Sequence, residues 1–125
     1  MILFKEEIAH LLNEYFSKEK QFVESIQLAS YGFNIQFVDF NIQCNERIFA
    51  SINGKSYEWN EVPNSGPWGS LGRQVARKAI LKNPSLLSIT FESGDSIDIE
   101  TVESSYESVI FNFPPQGDKF VMEVF

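Results

Sequence analysis

Cysteine and histidine are nearly missing from this sequence, with one residue of each in 125. The single cysteine, Cys44, cannot form an intramolecular disulfide, which fits a reducing compartment. His10 and Cys44 together are too few for a typical zinc site. General-base catalysis by His10 would need a partner and an orienting group, and the sequence supplies neither. We therefore expect no enzyme, no metal and no cofactor, with Cys44 as a buried structural thiol.

Long hydrophobic runs are also missing. No apolar stretch is close to the roughly 20 residues that a membrane-spanning helix needs. The opening segment, MILFKEEIAHLL, lacks the basic start, the long apolar stretch and the cleavage site of a secretory signal. The sequence predicts a cytoplasmic protein with one domain over residues 1–125, a length that can bury a core without disulfides.

Positive charge is scarce in the last third of the chain. Residues 1–85 carry nine acids and nine bases, whereas residues 86–125 carry eight acids and only one base, Lys119. The whole net charge of −7 therefore arises from the last forty residues. Such a concentrated negative field attracts cations and basic proteins and repels nucleic acids and anionic membranes. We expect a basic protein partner, no nucleic acid and no membrane.

Two periodicities in the apolar residues predict the fold class. Apolar residues recur at helical spacing over about residues 3–17, and after Phe22 they alternate with polar ones as in strands. Asn53-Gly54 and Ser93-Gly94 are typical of hairpin turns. The expected fold is α+β, with an N-terminal helix packed on a mainly antiparallel β-sheet built from hairpins. The helix should pack through Phe4, Ile8, Leu11, Leu12 and Phe16. The expected core comprises Phe37, Phe40, Ile42, Ile89, Phe91, Ile97, Ile99, Ile110 and Phe113.

Four segments depart from this simple pattern. The alternation changes face after Val38-Asp39, which suggests a bulge or a bend in one strand. Residues 74–81 fit a helix and a strand about equally well. Residues 114–118 are expected to form a sharp loop. Finally, Phe40–Cys44 lines up with Leu87–Phe91, each followed by a turn and a strand, and either duplication or convergence would explain the similarity.

An acidic face is predicted in the last third of the chain. Asp98 and Glu100 alternate with Ile97 and Ile99, so one side of this strand should be apolar and the other acidic. Residues 93–96 lack the ligand pattern of a calcium loop. A hydrolase that uses two carboxylates stays an alternative, because the separation of carboxylates is a three-dimensional quantity. The candidate partner-binding residues are Glu92, Asp95, Asp98, Glu100, Glu103 and Glu107.

One basic cluster precedes the acidic segment. It consists of Arg73, Arg77, Lys78 and Lys82. A nucleic-acid patch is one interpretation, but the net charge of −7 favours an internal partner for the acidic sheet.

Two motifs carry a resemblance to a known class of proteins. Gly66–Val75 contains W-x-x-L-G-x-x-V, and Leu86–Ile99 contains L-x-I-x-F-x-S-G-x-x-I-x-I, followed by Tyr106–Ser108. Phe37–Ile42 resembles the aromatic-Asp strand that precedes this unit. Over about residues 35–112 the chain resembles small bacterial immunity proteins of polymorphic-toxin and contact-dependent growth inhibition loci.

The resemblance implies both a local structure and a function. It favours a strand for residues 74–81, after a short helical turn at 67–72. It also implies an immunity protein that neutralises a cognate toxin, such as a nuclease with a basic cleft, by direct binding through an acidic surface. Two other functions stay open, namely a generic acidic protein-binding module and a small carboxylate-dependent hydrolase.

Overall fold

The computed structural model describes residues 4–29, 32–45, 48–59, 68–101, 109–116 and 119–125. Among them lie one α-helix, α1 (Glu6–Lys18), one short 3₁₀ helix (Trp68–Leu71) and ten strands. The strands are β1 (Ser25–Ala29), β2 (Gly32–Gln36), β3 (Asn41–Cys44), β4 (Ile48–Ile52), β5 (Lys55–Trp59), β6 (Ala76–Asn83), β7 (Leu86–Phe91), β8 (Ser96–Glu100), β9 (Val109–Gln116) and β10 (Lys119–Val124).

The strands form two five-stranded sheets in which every pair is antiparallel. Sheet 1 has the order β1-β2-β3-β9-β10, and sheet 2 has the order β5-β4-β8-β7-β6. The predicted α+β class is therefore confirmed, but the hairpins divide between two sheets instead of forming one. The chain passes from sheet 1 to sheet 2 between β3 and β4, and it returns to sheet 1 between β8 and β9.

Both sheets contribute their apolar faces to one core. All but one of the expected core residues are buried. The exception is Ile110, which is only half-buried because Val109, Phe111 and Phe113 take the inward positions of β9. The prediction assigned Ile110 to the inner face of β9, and this was wrong. The alternation of inward and outward residues in β9 is shifted by one residue from the expected one, and such a shift moves a strand side chain to the opposite face.

Helix α1 lies against β6 and against aromatic side chains of sheet 1. Ile8, Ala9 and Leu12 are its buried residues, and the partly buried Tyr15 packs its ring 5.3 Å from that of Phe113. The predicted apolar face is confirmed, although the helix begins at Glu6 and Phe4 is buried just before it.

Both predicted hairpin turns join adjacent strands. Asn53 and Gly54 have φ values of 54° and 78° between β4 and β5, and Gly94 has a φ of 95° between β7 and β8. Asparagine and glycine adopt this left-handed region at little cost, which explains their place in tight hairpins.

The expected bulge or bend after Val38-Asp39 is a complete reversal of the chain. Strands β2 and β3 pair with each other, and the N–H of Phe37 donates to the carbonyl of Phe40 at 2.8 Å. The sequence interpretation placed the change of face within a single strand, and this was wrong. The change of face arises because a four-residue turn separates two strands, each with its own alternation.

Two further expectations are corrected. Of the expected loop at 114–118, residues 114–116 lie within β9, and residues 117 and 118 lie outside the described part of the chain. Pro114 and Pro115 fall beyond the stretch that β9 shares with β3, beside a register shift in the pairing with β10, and prolines are tolerated in strands at such places. The similarity of Phe40–Cys44 to Leu87–Phe91 does not extend to a shared hairpin, because β3 and β4 do not pair whereas β7 and β8 do.

Residues 74–81 lie largely in a strand. Strand β6 spans Ala76–Asn83 and follows the 3₁₀ helix Trp68–Leu71. The strand, and the short helical turn before it, agree with the expectation taken from the resemblance.

Candidate surface on the outer face of sheet 2

The outer face of sheet 2 is built around β8, its central strand. Along β8 the inward Ile97 and Ile99 are buried, whereas Asp98 and Glu100 are partly exposed on the opposite face. Asp98 lies between Phe49 of β4 and Ser88 of β7 in the register of the sheet. The predicted division into an apolar face and an acid-bearing face is therefore present along this strand.

A row of small hydroxyl side chains crosses the sheet beside Asp98. Ser56, Ser51, Ser96 and Thr90 are successive partners across β5, β4, β8 and β7. Because Ser56, Ser51 and Ser96 are short, they leave a groove of about 420 Å³, which is also lined by Phe49, Asp98 and Lys82. This row cannot be recognised from the sequence, because its members come together only when the register of four strands is known.

Asp98 forms an ion pair with a base from the edge strand. Lys82 Nζ lies 2.8 Å from Asp98 Oδ2, with the lysine side chain 47% and the aspartate side chain 21% exposed. The sequence favoured the basic cluster as an internal partner for the acidic sheet, and Lys82 of this cluster pairs with Asp98. The other carboxylate oxygen, Asp98 Oδ1, is buried and has no hydrogen-bond partner. An unsatisfied carboxylate oxygen is costly, so this atom favours any donor that can reach it.

Asp95, another candidate, is turned into the protein. It is 9% exposed, and it accepts hydrogen bonds from the backbone N–H of Asn53 at 3.0 Å and from Gln74 Nε2 at 2.8 Å. Ser93 Oγ accepts from the N–H of Asp95 and donates to Gln74 Oε1. Asp95 thus ties the β4–β5 turn to the β7–β8 turn. We assign it a structural role and leave it out of the surface.

The remaining candidates divide by position. Glu92 is exposed just after β7, and Glu100 is partly exposed at the end of β8. Glu103 and Glu107 lie outside the described residues. The structure therefore brings Glu92, Asp98 and Glu100 to the outer side of sheet 2.

The reactive side chains elsewhere stand apart from this surface. His10 is exposed on α1. Cys44 is buried in sheet 1, and burial raises the pKa of its thiol to about 12, so it stays protonated at neutral pH. Within the described residues no three histidine, cysteine, aspartate or glutamate side chains gather as a metal site would require. The helix of the described chain is too short and too polar to cross a membrane.

Comparison with protein-family models, curated proteins and solved structures finds no match to this chain. The resemblance to immunity proteins therefore stays a prediction.

Proposed function

We propose that this protein is an immunity protein that acts in the cytoplasm and neutralises a basic protein toxin by binding it through the outer face of sheet 2. The observation that carries the proposal is the position of the negative charge. The whole net charge of −7 comes from residues 86–125, and two carboxylates of this segment point outward from the central strand of a sheet. A toxin that cleaves nucleic acid has a basic cleft, which such a surface complements.

The geometry supports a binding platform in two ways. A side chain on a central strand is held by neighbours on both sides, so little conformational freedom is lost when a partner binds. The row of small hydroxyls beside Asp98 leaves space for a long side chain of the partner. We propose that an arginine or lysine enters the groove and donates to Asp98 Oδ1 after a small shift of the side chains that cover this oxygen.

The electrostatics favour fast association. Exposed carboxylates raise the rate of encounter with a basic partner, whereas buried pairs govern the rate of dissociation. Glu92 and Glu100 are suited to the first role, and Asp98 is suited to the second. Glu103 and Glu107, which lie outside the described residues, extend the same acidic stretch of sequence.

Binding fits this groove better than hydrolysis does. Among the described residues its lining contains one carboxylate, Asp98, one oxygen of which is already bonded to Lys82. Hydrolysis by paired carboxylates needs a second acid on the opposite side of the scissile bond. A generic acidic binding module would use the same surface, and it differs from an immunity protein only in the identity of the partner.

The experiment starts from the product of the adjacent upstream gene. We expect this product to be toxic, to co-purify with the protein, and to be neutralised by it in cells. The variant Glu92→Lys/Glu100→Lys should slow association about tenfold or more at low salt and weaken protection. The matched control Glu14→Lys/Glu19→Lys changes two exposed acids on and after α1 by the same total charge, and it should slow association much less.

A second variant tests Asp98 separately. Asp98→Asn keeps the shape of the side chain but removes its charge, so we expect faster dissociation with little change in the association rate. Unchanged protection and unchanged rate constants in both variants would remove this face from the mechanism. An upstream product that is harmless and does not bind would contradict the immunity function itself.

A further inference from the structure

The β6 edge of sheet 2 carries a second charged surface, of opposite sign, which adjoins the acid-bearing surface on the same outer face. Lys78 is the cross-strand partner of Thr90, and Ile80 is the partner of Ser88, which in turn lies beside Asp98. Residues 73–83 contain four bases and no acid, in a chain with a net charge of −7. Lys82 is paired with Asp98, but Arg73, Arg77 and Lys78 are exposed and have no ion-pair partner in the described part of the chain. Unpaired positive charge is therefore concentrated on this strand.

Exposed apolar side chains coincide with these bases. Phe22 and Ile80, 39% and 43% exposed, are the exposed large hydrophobic residues among the side chains that the structure describes. Ile80 lies on β6 itself, and Phe22 forms an isolated β-bridge with Val75 just before this strand. We call Phe22, Arg73, Val75, Arg77, Lys78 and Ile80 the β6 strip. Aromatic and arginine side chains that lie together on a surface are the residues that most often dominate binding energy.

Two irregularities of the backbone turn the bases outward. The register between β6 and β7 shifts between Ala76 and Lys78, so Arg77 is an extra residue and both Arg77 and Lys78 are exposed. Arg73 has a φ of 68°, a left-handed conformation that is unfavourable for a residue with a side chain. Such irregularities cluster at binding surfaces, where they re-aim a side chain.

The hydrogen bonds at the edge of β6 determine how a partner can dock. Asn13 of α1 donates to the carbonyl of Ala79 at 2.8 Å and accepts from its N–H at 2.7 Å. The N–H of Ala76 donates to the carbonyl of Gln21. Because these backbone groups are already satisfied, a partner docks on the side chains of the strip instead of adding a strand to this edge.

We propose that the β6 strip is a docking surface for an acidic segment of a partner protein that also carries apolar side chains. Glu92 donates its N–H to the carbonyl of Val75, and Glu24 lies two residues after Phe22, so both acids are at the Phe22 end. The excess of positive charge therefore lies at Arg77 and Lys78. The partner's carboxylates pair with these two bases, and its apolar side chains cover Ile80 and Phe22. A polyanion without apolar groups would leave those two side chains exposed, so it fits the strip less well than an acidic segment with apolar side chains.

The test uses fluorescence anisotropy at low ionic strength with a labelled synthetic peptide of alternating glutamate and leucine. We expect binding to the intact protein that weakens as salt is added. Arg77→Glu/Lys78→Glu should weaken binding about tenfold or more, because like charges would then face each other. Ile80→Ser should weaken it about threefold or more through loss of apolar contact. The control Lys18→Glu/Lys55→Glu makes the same charge change at two exposed lysines outside the strip and should have a much smaller effect.

Three outcomes would overturn the proposal. The first is no binding of the peptide by the intact protein. The second is equal weakening by the control and by Arg77→Glu/Lys78→Glu, which would show that only net charge matters. The third is tighter binding of an oligouridylate or of phosphatidylserine vesicles than of the peptide. Circular dichroism spectra and thermal melting should match between variants, because the substituted side chains are exposed.

Discussion

The two sheets share one core but fill it with different side chains. The inward residues of sheet 1 and of its β2–β3 turn are largely aromatic, and Phe40 lies 4.8 Å from Phe37 and 5.5 Å from Phe113 between ring centroids. Sheet 2 contributes mainly aliphatic residues, such as Ile48, Ile89 and Ile97. Aromatic rings are large and have few rotatable bonds, so those of sheet 1 can pack against α1 as well as against sheet 2.

The outer faces differ in their chemistry as well. On β1, β2, β3 and the described side chains of β9, the outward residues include two rows of carboxamides and no charge. One row is Gln27, Asn34 and Gln43, and the other is Gln36, Asn41 and Asn112. Sheet 2 carries hydroxyls, Asp98 and Glu100, together with the bases of β6. The same alternation of buried and exposed residues therefore produces a neutral face and a charged face, and only the charged one can steer a partner over a distance.

The largest expected effect tests the aromatic and aliphatic halves of the core. Phe111→Ala in sheet 1 should lower the free energy of unfolding by about 3–5 kcal/mol, and Ile89→Ala in sheet 2 by about 2–5 kcal/mol. Phe111 should lie at the upper end because its ring contacts those of Phe4, Phe113 and Phe125. Urea denaturation measures both values. A loss of only a few tenths for Ile89→Ala would show that sheet 2 is not part of the common core.

The next effect concerns pH and Cys44, which lies on the inner face of sheet 1. Burial raises the pKa of this thiol to about 12 from an ordinary value of 9.0. The unfolded chain loses the proton above pH 9 while the folded chain keeps it. The contribution of Cys44 to stability is therefore complete below pH 9 and falls by about 1.4 kcal/mol per pH unit toward pH 12.

The comparison variant for this effect is Cys44→Ala. The difference in unfolding free energy between the natural protein and Cys44→Ala should shift against the natural protein as the pH rises from 9 to 11. A difference that stays constant over this range would mean that the thiol ionises as readily in the folded protein as in the unfolded chain.

A smaller effect separates a structural acid of sheet 2 from its outward acids. Asp95→Ala should cost about 1–3 kcal/mol, because the N–H of Asn53 and the amide of Gln74 lose their acceptor. Glu92→Ala, three residues earlier and exposed, should change stability by less than about 0.5 kcal/mol. Thermal or urea unfolding measures both variants. If both variants changed stability by the same small amount, Asp95 would have no structural role and would count as a surface acid.

The smallest expected effect tests the neutral face of sheet 1. Gln27→Ala/Gln43→Ala should change stability by less than about 1 kcal/mol in total, because both side chains are exposed. It should leave binding of a basic partner unchanged, as measured by surface plasmon resonance. If Gln27→Ala/Gln43→Ala weakened binding more than Glu92→Lys/Glu100→Lys does, the partner surface would lie on sheet 1 and not on sheet 2.

Much of the fold follows from local patterns in the sequence. The apolar spacing predicts α1, and the left-handed preference of Asn53-Gly54 and of Gly94 predicts two hairpins that the structure contains. Eight of the nine expected core residues are buried, since strand alternation depends only on neighbouring residues. Ile110 was misplaced because its strand offered apolar residues on both faces.

The candidate surface could be predicted only in part. Alternation along β8 correctly predicts that Asp98 and Glu100 face away from the core. The inward position of Asp95 could not be predicted, because it depends on Asn53 and Gln74, which are distant in the sequence. The ion pair of Lys82 with Asp98 could not be predicted either, because it joins two strands, β6 and β8, that are separated by β7 in the sheet.

The sequence by itself determined the fold class, the hairpin turns, the excess of acid after residue 85 and the alternation of faces, because each depends on residues close together in the chain. Only the tertiary structure decided that β3 and β4 belong to different sheets and that β8 is the central strand of sheet 2. It also decided which acids face solvent and which bases stay unpaired. These outcomes depend on pairing between strands far apart in sequence, where long-range packing and not local preference determines the arrangement.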